Sequence, residues 1–517
     1  MRVKVLAVLW VVALMGRAGS AQNPELFRFT LPPGPHVVGL KVVEQYDRSR
    51  IYFPMTDDLG KPRGGERARP LQTLIWYPAE KSGGKPMTVG DYANLMMTET
   101  RFGKPDPGTG DGWRAALKPA IGDPMWAVRD APAASGRFPV FIYAPSFGAM
   151  SWENADLCEF LASHGYLVIA STALGAHGRD MTNDVAGINA QAADISFLVG
   201  FAQTLPDADV SEVAVGGFSW GGIANLFAAA RDDRIGALVC LDGSLRYYPG
   251  LVKQAGDVHP EQMTIPLIFF TQGEFTLEDQ VRYLNDAAKN QGPSVLNEWT
   301  HGDLFTVHML GMMHQEFGSM LQRNEDVWKH SKGELKADYD REDGMSGYAW
   351  MARYTLAFLN AYLKHDATAM DWLKKTPAEN GVPKHLLSVD FRQAEGLAPT
   401  LEAFRAEVGR KGFDHASEIY ASLKKQDADF KIEEQAMEGW GDRLTSDRHL
   451  PEAIAILSLN VSLYPDSSDA YAYLGGAYAK AGQKQQAIDS YRKALEKNPE
   501  SEEAKKRLAE LEKADSN

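Results

Sequence analysis

The chain has 517 residues, which predicts more than one domain, and 44% of them are hydrophobic, enough for a large core. It carries 54 Lys and Arg against 68 Asp and Glu, a net charge of −14 at pH 7. This surplus of negative charge argues against nucleic acid and against an anionic membrane surface as partners. The two cysteines, Cys158 and Cys240, are too few for a disulfide scaffold, and no Cys/His cluster has the spacing of a structural zinc site.

The N-terminus has the pattern of a cleaved export signal. A basic start with Arg2 and Lys4 precedes the apolar run Val5–Met15, which is too short to cross a bilayer comfortably, and small residues lead up to Ala21. We expect residues 1–21 to be a signal peptide and the mature protein to be exported, to a periplasm or beyond. An uncleaved anchor helix is the alternative. No later stretch predicts a transmembrane segment in the mature chain.

Strands and helices alternate along the first two thirds of the chain. The predicted strands are Leu71–Tyr77, Pro139–Ala144, Tyr166–Ser171, Ile235–Leu241, Pro266–Thr271 and, as the last one, Leu304–Leu310. The predicted helices are Ala155–His164, Ile188–Leu205, Gly222–Ala230, Leu277–Lys289 and Tyr348–Lys364. Continuous apolar strands between helices predict a mainly parallel sheet with helices on both faces, in an α/β domain over residues 22–397. Residues 81–137, rich in Gly, Pro and Asp, are a long excursion that we interpret as a candidate lid.

The segment Val213–Gly222 (VAVGGFSWGG) places Gly-x-Ser-x-Gly between a predicted strand and a predicted helix. A nucleophilic serine must project its hydroxyl from a tight, strained turn, where side chains two positions away would collide. The helix that follows would aim N–H groups at negative charge developing near the serine. The pattern therefore predicts Ser219 as a catalytic nucleophile. A glycine-rich turn in an α/β protein of another kind is the alternative.

A serine nucleophile needs a base and an acid that orients the base, and in this architecture the chain order is serine, acid, histidine. Asp242 follows a strand directly after Ser219 and is the predicted acid. Glu274 and Asp279 follow the next strand and are rivals. The Asp242-Gly243-Ser244 sequence also suits a simple turn cap, which is the alternative role for Asp242.

Three histidines lie near the last predicted strand. His314 follows the strand in a loop, where this architecture places the catalytic base, and is the predicted base. His308 lies inside the strand and His301 before it, so both are weaker candidates.

The oxyanion hole requires two backbone N–H groups aimed at the developing negative charge. Trp220, directly after the nucleophile, is predicted to supply one of them. The other is predicted to come from Phe147, in the loop that follows the strand Pro139–Ala144.

Together these segments resemble the platelet-activating-factor acetylhydrolase family of α/β-hydrolases, which is related to dienelactone-hydrolase-like esterases. The matching pieces, spread over about residues 29–364, are Leu71–Pro78, Phe138–Ala149, Leu161–Ala170, Gly217–Gly222, Leu241-Asp242, Pro266–Phe270 and His314–Phe317. The resemblance implies an α/β-hydrolase fold, Asp242 rather than Glu274 as the triad acid, and acetyl or short oxidised acyl groups on phospholipids as substrates. The His-Gly that is usual in the family's oxyanion loop is Pro145-Ser146 here.

After residue 397 the strands stop and a repeat with an offset of 34 residues appears. The matched positions are Gly441 with Gly475, Ala453-Ile454 with Ala487-Ile488, and Pro465 with Pro499. They predict an all-α domain over residues 398–517 with two tetratricopeptide repeats, 433–465 and 466–499, and a capping helix Ser501–Lys513. The preceding Leu401–Lys425 is predicted as one connecting helix. An ordinary helical bundle is the alternative.

The sequence therefore predicts an exported serine ester hydrolase that acts on a small-molecule or lipid ester and requires no metal or organic cofactor. The repeats predict a concave surface for a protein partner. A serine peptidase or amidase with the same fold is one alternative function. A tetratricopeptide binding protein with an inactive hydrolase unit is the other.

Overall fold

A computed structural model describes residues 26–57, 59–273, 294–331 and 338–513. Several sequence-based predictions lie outside the described residues: the signal peptide, the rival acids Glu274 and Asp279, and the helix Leu277–Lys289.

The chain divides into two compact units. Unit 1 takes most of the chain up to Arg392, and unit 2 takes the chain from Gln393 onward together with two short segments, Pro260–Thr264 and Trp299–Gly302. The sequence predicts the boundary at residue 397. Each unit has its own hydrophobic core.

In the described part of the chain, unit 1 is built on a mixed sheet of eleven strands. The strands are β1 Val37–Ile51, β2 Ala68–Ala79, β3 Pro86–Thr88, β4 Pro124–Arg129, β5 Phe138–Ala144, β6 Leu167–Ser171, β7 Ala208–Phe218, β8 Ala237–Leu241, β9 Leu267–Gln272, β10 Leu304–Met309 and β11 Leu387–Arg392. Their order is β11-β10-β9-β8-β7-β5-β6-β2-β1-β4-β3. Six neighbouring strands, in the order β6-β5-β7-β8-β9-β10, pair in parallel. Strand β2 pairs antiparallel with β6 at one side of this group, and β11 pairs antiparallel with β10 at the other. The prediction of a mainly parallel sheet is confirmed.

Helices of unit 1 cover this sheet and close its core. They are α1 Val89–Asn94, α2 Asp111–Ala116, α3 Ala155–Ser163, α4 Val185–Ala202, α5 Trp220–Ala229, α6 Pro249–Ala255, α7 Val295–Glu298, α8 Ser319–Arg323, α9 Glu325–Ser331, α10 Arg341–Leu363 and α11 Ala367–Leu373. By length and hydropathy alone, α4 is a candidate membrane span, but 56% of it is buried inside the unit. Its buried Asp194 binds the buried guanidinium of Arg69 at 2.5 Å, as expected of a core helix.

The prediction that Leu304–Leu310 is the last strand was wrong. Strand β11 follows it in sequence and pairs with it antiparallel, from Leu304 opposite Arg392 to Met309 opposite Leu387. An edge strand with one exposed face alternates apolar and polar residues, as Leu387–Arg392 (LSVDFR) does. A search for continuous apolar runs misses such a strand.

The excursion over residues 81–137 contributes to the sheet and to the core of unit 1. Its strand β4 pairs with β1, and β3 pairs with β4, so the two extend one edge of the sheet. Tyr92 and Leu117 from its helical part are fully buried in the main hydrophobic core. The glycines and prolines of this segment therefore separate short elements that belong to the fold.

Unit 2 contains a series of antiparallel helical hairpins. Its helices are α12 Leu401–Lys411, α13 Ala416–Gln426, α14 Glu434–Ser446, α15 Leu450–Leu463, α16 Ser468–Lys480, α17 Lys484–Lys497 and α18 Glu502–Lys513. The pairs α14/α15 and α16/α17 occupy the two predicted repeats. Gly441 allows close approach in the first repeat, since a Cβ there would lie 2.4 Å from the side chain of Leu457. Gly475 faces Tyr491 in the same way in the second repeat.

The prediction of one connecting helix over Leu401–Lys425 was wrong. The structure has two helices there, α12 and α13, separated at Gly412. Gly412 has φ 111°, a conformation that side chains strongly disfavour, and it caps the end of α12. The chain therefore turns at this glycine.

Candidate active site

Ser219 occupies a strained turn between β7 and α5. Its φ and ψ are 53° and −116°, which a non-glycine residue adopts only when its surroundings enforce it. A Cβ at Gly217 would lie 2.4 Å from the carbonyl oxygen of Ala144, and a Cβ at Gly221 would lie 2.1 Å from the same oxygen. The two glycines of the motif are thus required because β5 and its loop pass directly beside the turn.

Backbone hydrogen bonds fix this turn from both sides. The Ser219 N–H donates to the carbonyl of Leu241 at 3.0 Å, and the Ser219 carbonyl accepts from Gly222 at 3.0 Å and from Ser244 at 2.7 Å. Leu241 ends β8, so the turn is tied to the strand that carries the predicted acid. Strain at Ser219 is therefore maintained by the neighbouring strand.

His314 lies within hydrogen-bond distance of Ser219. Its Nε2 is 3.0 Å from the Ser219 Oγ, and its Nδ1 is 2.6 Å from Oδ2 of Asp242. The imidazole belongs to a short 3₁₀ turn, His314–Phe317, which follows β10, and its ring centroid is 4.8 Å from that of Phe218. One third of the His314 side chain is exposed, whereas the Asp242 side chain is fully buried.

Asp242 follows β8 with φ 42°. Besides its contact with His314, its carboxylate accepts a hydrogen bond from the Tyr247 hydroxyl at 2.6 Å and one from the Gln272 N–H at 3.2 Å. Burial, followed by the adjacent Asp242 charge, raises the pKa of Tyr247, so its phenol stays a proton donor. These donors compensate the hydration that the buried Asp242 carboxylate has lost.

The other two histidines lie in different surroundings. His308 Nε2 is 3.2 Å from the Asp390 carboxylate across the β10–β11 pair, and His301 Nδ1 is 2.7 Å from the Glu395 carbonyl. Among the three, the structure brings only His314 to Ser219.

The predicted oxyanion donors lie on the two segments that flank Ser219. Trp220 opens α5, and its ring is 5.4 Å from that of Phe147 in an edge-to-face arrangement. Within the described residues, neither the Phe147 nor the Trp220 backbone N–H has a hydrogen-bond acceptor. Both donors are thus available to an external acceptor.

Sequence reasoning did not identify Glu153, which lies behind the predicted oxyanion loop. This carboxylate is 1% exposed, accepts a hydrogen bond from the Ser146 N–H at 2.9 Å and a second, very short one from the Ser146 hydroxyl, and is 3.2 Å from the Tyr143 hydroxyl. Burial raises the pKa of Glu153 to about 7, against the opposing effect of these hydrogen bonds. Ser146 directly precedes Phe147, so Glu153 fixes the segment that presents the Phe147 N–H.

Two further residues that support the site carry no sequence signal. Tyr247 lies five positions after Asp242, in a turn without a recognisable motif. Gln272, at the end of β9, donates its backbone N–H to Asp242 and accepts the His314 N–H with its side-chain oxygen at 3.1 Å. Gln272 therefore holds both the acid and the backbone of the predicted base.

Comparisons with known proteins agree with this architecture. Residues 118–243 match the chlorophyllase family, a segment that includes Ser219 and Asp242, and residues 468–501 match the tetratricopeptide repeat. No curated protein matches the chain. The solved structure of a ferulic acid esterase from Streptomyces cinnamoneus is similar, with a TM-score of 0.51 and 18% sequence identity. The match covers 71% of this chain and 99% of the esterase chain.

These matches confirm the predicted architecture, an α/β-hydrolase fold followed by a tetratricopeptide region. Altogether 535 solved chains match, and a fold shared so widely does not by itself select a substrate.

Proposed function

We propose that this protein is a serine ester hydrolase in which Ser219, His314 and Asp242 act as nucleophile, base and orienting acid. The observation that carries the proposal is the unbroken hydrogen-bond chain from the Ser219 Oγ through His314 to a fully buried Asp242. The strained turn at Ser219 supports the same role, because it exposes the hydroxyl that must attack. The matches to the chlorophyllase family and to an esterase structure favour this class of reaction.

In the proposed acylation step, the Ser219 Oγ forms a bond to the ester carbonyl carbon while its proton passes to Nε2 of His314. Asp242 accepts the Nδ1 proton in a hydrogen bond and stabilises the imidazolium. The carbonyl oxygen becomes an oxyanion, for which the free N–H groups of Phe147 and Trp220 are the proposed donors. The carbon–oxygen ester bond then breaks, and the leaving alcohol takes the proton from His314.

Deacylation uses the same groups, with water as the nucleophile and the Ser219 oxygen as the leaving group. A water molecule gives a proton to His314 and attacks the acyl carbon, and the bond to Ser219 breaks as its Oγ regains the proton. The products are a carboxylic acid, an alcohol and the free enzyme.

The proposed substrates carry a short acyl group, such as an acetyl ester of a lipid. Aromatic side chains beside the nucleophile favour an apolar group next to the ester: Phe147 packs on Trp220, and Trp220 packs on Tyr248 with a centroid distance of 6.0 Å. We further propose that the protein is exported, on the basis of its first 21 residues.

A series of p-nitrophenyl esters from acetyl to dodecanoyl, with methyl ferulate as an aromatic comparison, tests this assignment. We expect turnover to be greatest for short acyl groups and to be lost in Ser219→Ala. Ser211→Ala is the matched control, because Ser211 lies exposed on the same strand and its hydroxyl donates to the nearby Asp209. Full turnover by Ser219→Ala would refute the assignment of Ser219 as the nucleophile. A preference for dodecanoyl esters or methyl ferulate would refute the proposed specificity for short acyl groups.

A further inference from the structure

Unit 2 contains a cavity of about 800 Å³ that has no part in the proposed reaction. Helices α14, α16 and α18, which follow one another on one face of the repeats, supply most of its wall. The residues that decide its chemistry are Glu438, Asp442, Asp469, Tyr473, Lys480 and Arg507. All of them lie within unit 2, so the cavity is complete in that unit alone.

The cavity has an excess of uncompensated negative charge. Four acids line the cavity, and among the described residues three of them, Glu438, Asp442 and Asp469, form no salt bridge. Of the two lining cations, Arg507 is already paired with Glu503 at 2.8 Å. Lys480 lies exposed at the end of α16.

Glu438 is the unusual member of this group because it is buried. Its side chain lines the cavity although the residue is only 8% exposed, and its Oε1 has no hydrogen-bond partner among the described residues. Glu434, one turn earlier on α14, also has a buried Oε1 without a hydrogen-bond partner among the described residues. A buried carboxylate oxygen without a hydrogen-bond donor is costly, and its cost is reduced when a binding partner supplies a donor or a positive charge.

An exposed aromatic ring lies beside these carboxylates. Tyr473 is 40% exposed, which is high for a large hydrophobic side chain of this protein. Burial, followed by the charges of Glu438, Asp442 and Asp469, raises the pKa of the Tyr473 hydroxyl, and all four residues line the same cavity. An exposed tyrosine ring in a cavity with carboxylates is a favourable position for a guanidinium or ammonium group.

We propose that this cavity binds an extended polypeptide segment through its Arg or Lys side chains, with one cation paired to Glu438 and its stem lying against Tyr473. Charge complementarity selects this occupant. An acidic segment would add to the repulsion among the carboxylates, and an apolar segment would bury Glu438 further without supplying a positive charge. Arginine is favoured over lysine, because its planar group can bind a carboxylate with two hydrogen bonds and stack on the tyrosine.

The test is binding of a labelled oligoarginine peptide to the full-length protein, measured by fluorescence anisotropy, with an oligoglutamate peptide of equal length for comparison. The double variant Glu438→Gln/Asp469→Asn removes two charges from the cavity. The double variant Asp489→Asn/Glu496→Gln removes the same number from exposed positions of α17 and controls for the protein's net charge. We expect the cavity variant to lose about tenfold or more in affinity, and the control variant to bind like the natural protein.

Equal losses in both variants would overturn the proposal, since the peptide would then respond only to overall charge. No oligoarginine binding, or tighter binding of oligoglutamate, would overturn it too. Ester turnover, measured in the same samples, is expected to be unchanged in both variants, so this proposal and the proposed catalytic function fail independently.

A pH series gives a second readout that a purely structural role would not move. Burial, then the charges of Glu434 and Asp469, raises the pKa of Glu438 to about 7. Because only the ionised carboxylate attracts a cation, peptide affinity is expected to fall between pH 8 and pH 6 in the natural protein and to change less in Glu438→Gln. Equal pH dependence in both would contradict the assigned contact.

The other charged or titratable groups that face the cavity are Asp442, Tyr473, Lys480, Tyr491, Glu503 and Arg507.

Discussion

Asp242 in unit 1 and Glu438 in unit 2 are both buried carboxylates, but their surroundings differ. Asp242 accepts hydrogen bonds from His314, Tyr247 and Gln272, so both of its oxygens have donors. Glu438 has an oxygen with no partner among the described residues. Burial of a carboxylate is tolerated where donors compensate the lost hydration. The site in unit 1 is therefore complete within the chain, whereas the cavity in unit 2 is suited to a cation from outside.

After the loss of turnover expected in Ser219→Ala, the largest expected effect comes from Asp242→Asn. The amide cannot stabilise the imidazolium and can turn its NH₂ toward His314, which favours the wrong tautomer, so kcat is expected to fall roughly 10³–10⁴-fold. Asp303→Asn is the control, because Asp303 also accepts a tyrosine hydroxyl, from Tyr362 at 2.6 Å, at a position away from Ser219. Steady-state kinetics on p-nitrophenyl acetate measures both. A loss below about tenfold would mean that Asp242 is not the triad acid.

Glu153→Gln tests whether the oxyanion loop depends on a buried carboxylate. The amide can accept only part of the hydrogen bonding from Ser146, so the Phe147 N–H should lose its position, and kcat should fall about tenfold with little change in KM. Glu159→Gln is the matched control. Glu159 is also fully buried with a pKa raised by burial to about 7, but it binds Tyr92 at 2.7 Å and not the loop. Equal losses in the two variants would assign Glu153 to stability alone.

Tyr247→Phe removes one donor from Asp242 and leaves the other two. A single hydrogen bond to a charged group contributes about 1.5–3 kcal/mol, and the remaining donors compensate part of it, so kcat is expected to fall roughly threefold to tenfold. Tyr362→Phe removes the equivalent hydroxyl from Asp303 and should leave kcat unchanged. If both variants were fully active, the hydrogen bond from the Tyr247 hydroxyl to Asp242 would have no catalytic role.

The smallest expected effect is on stability, in Glu438→Gln. The folded-state pKa of Glu438 is raised, so the folded protein binds this proton more tightly than the unfolded chain, and the free energy of unfolding falls as pH rises from about 4.5 to about 7. Glutamine does not titrate, so the variant does not lose free energy of unfolding in this pH range through residue 438. We expect Glu438→Gln to be more stable than the natural protein by about 1 kcal/mol at pH 8, and nearly equal at pH 4.5. Denaturant unfolding at the two pH values measures this, and a destabilised variant at pH 8 would show that the carboxylate is already compensated.

The residues that the structure brings together at the candidate site could largely be predicted from the sequence. Gly217 and Gly221 mark the turn because neither tolerates a side chain, and the order of Ser219, Asp242 and His314 follows from how a parallel sheet presents the ends of its strands. Such signals are local or depend on topology, so one sequence is enough to find them.

The residues that support the site could not be predicted from the sequence. Glu153 stands in a polar stretch like an ordinary surface acid, and only the fold shows that it is buried against Ser146. Tyr247 and Gln272 reach Asp242 through turns and strand ends that have no repeating pattern. Strand β11 was missed because its residues alternate in polarity, and the break at Gly412 was overlooked although glycine commonly ends a helix. Long-range packing determines these features, and a single sequence does not encode it in any short pattern.

The most direct test of the central claim is to identify the residue that reacts as the nucleophile. A fluorophosphonate forms a stable phosphorus–oxygen bond to an activated serine with loss of fluoride, and peptide mass spectrometry locates the adduct without knowledge of the natural substrate. We predict a single adduct on Ser219, its absence in Ser219→Ala, and its strong slowing in His314→Ala. An adduct on a different residue, or ester turnover by a protein that leaves Ser219 unmodified, would contradict the account.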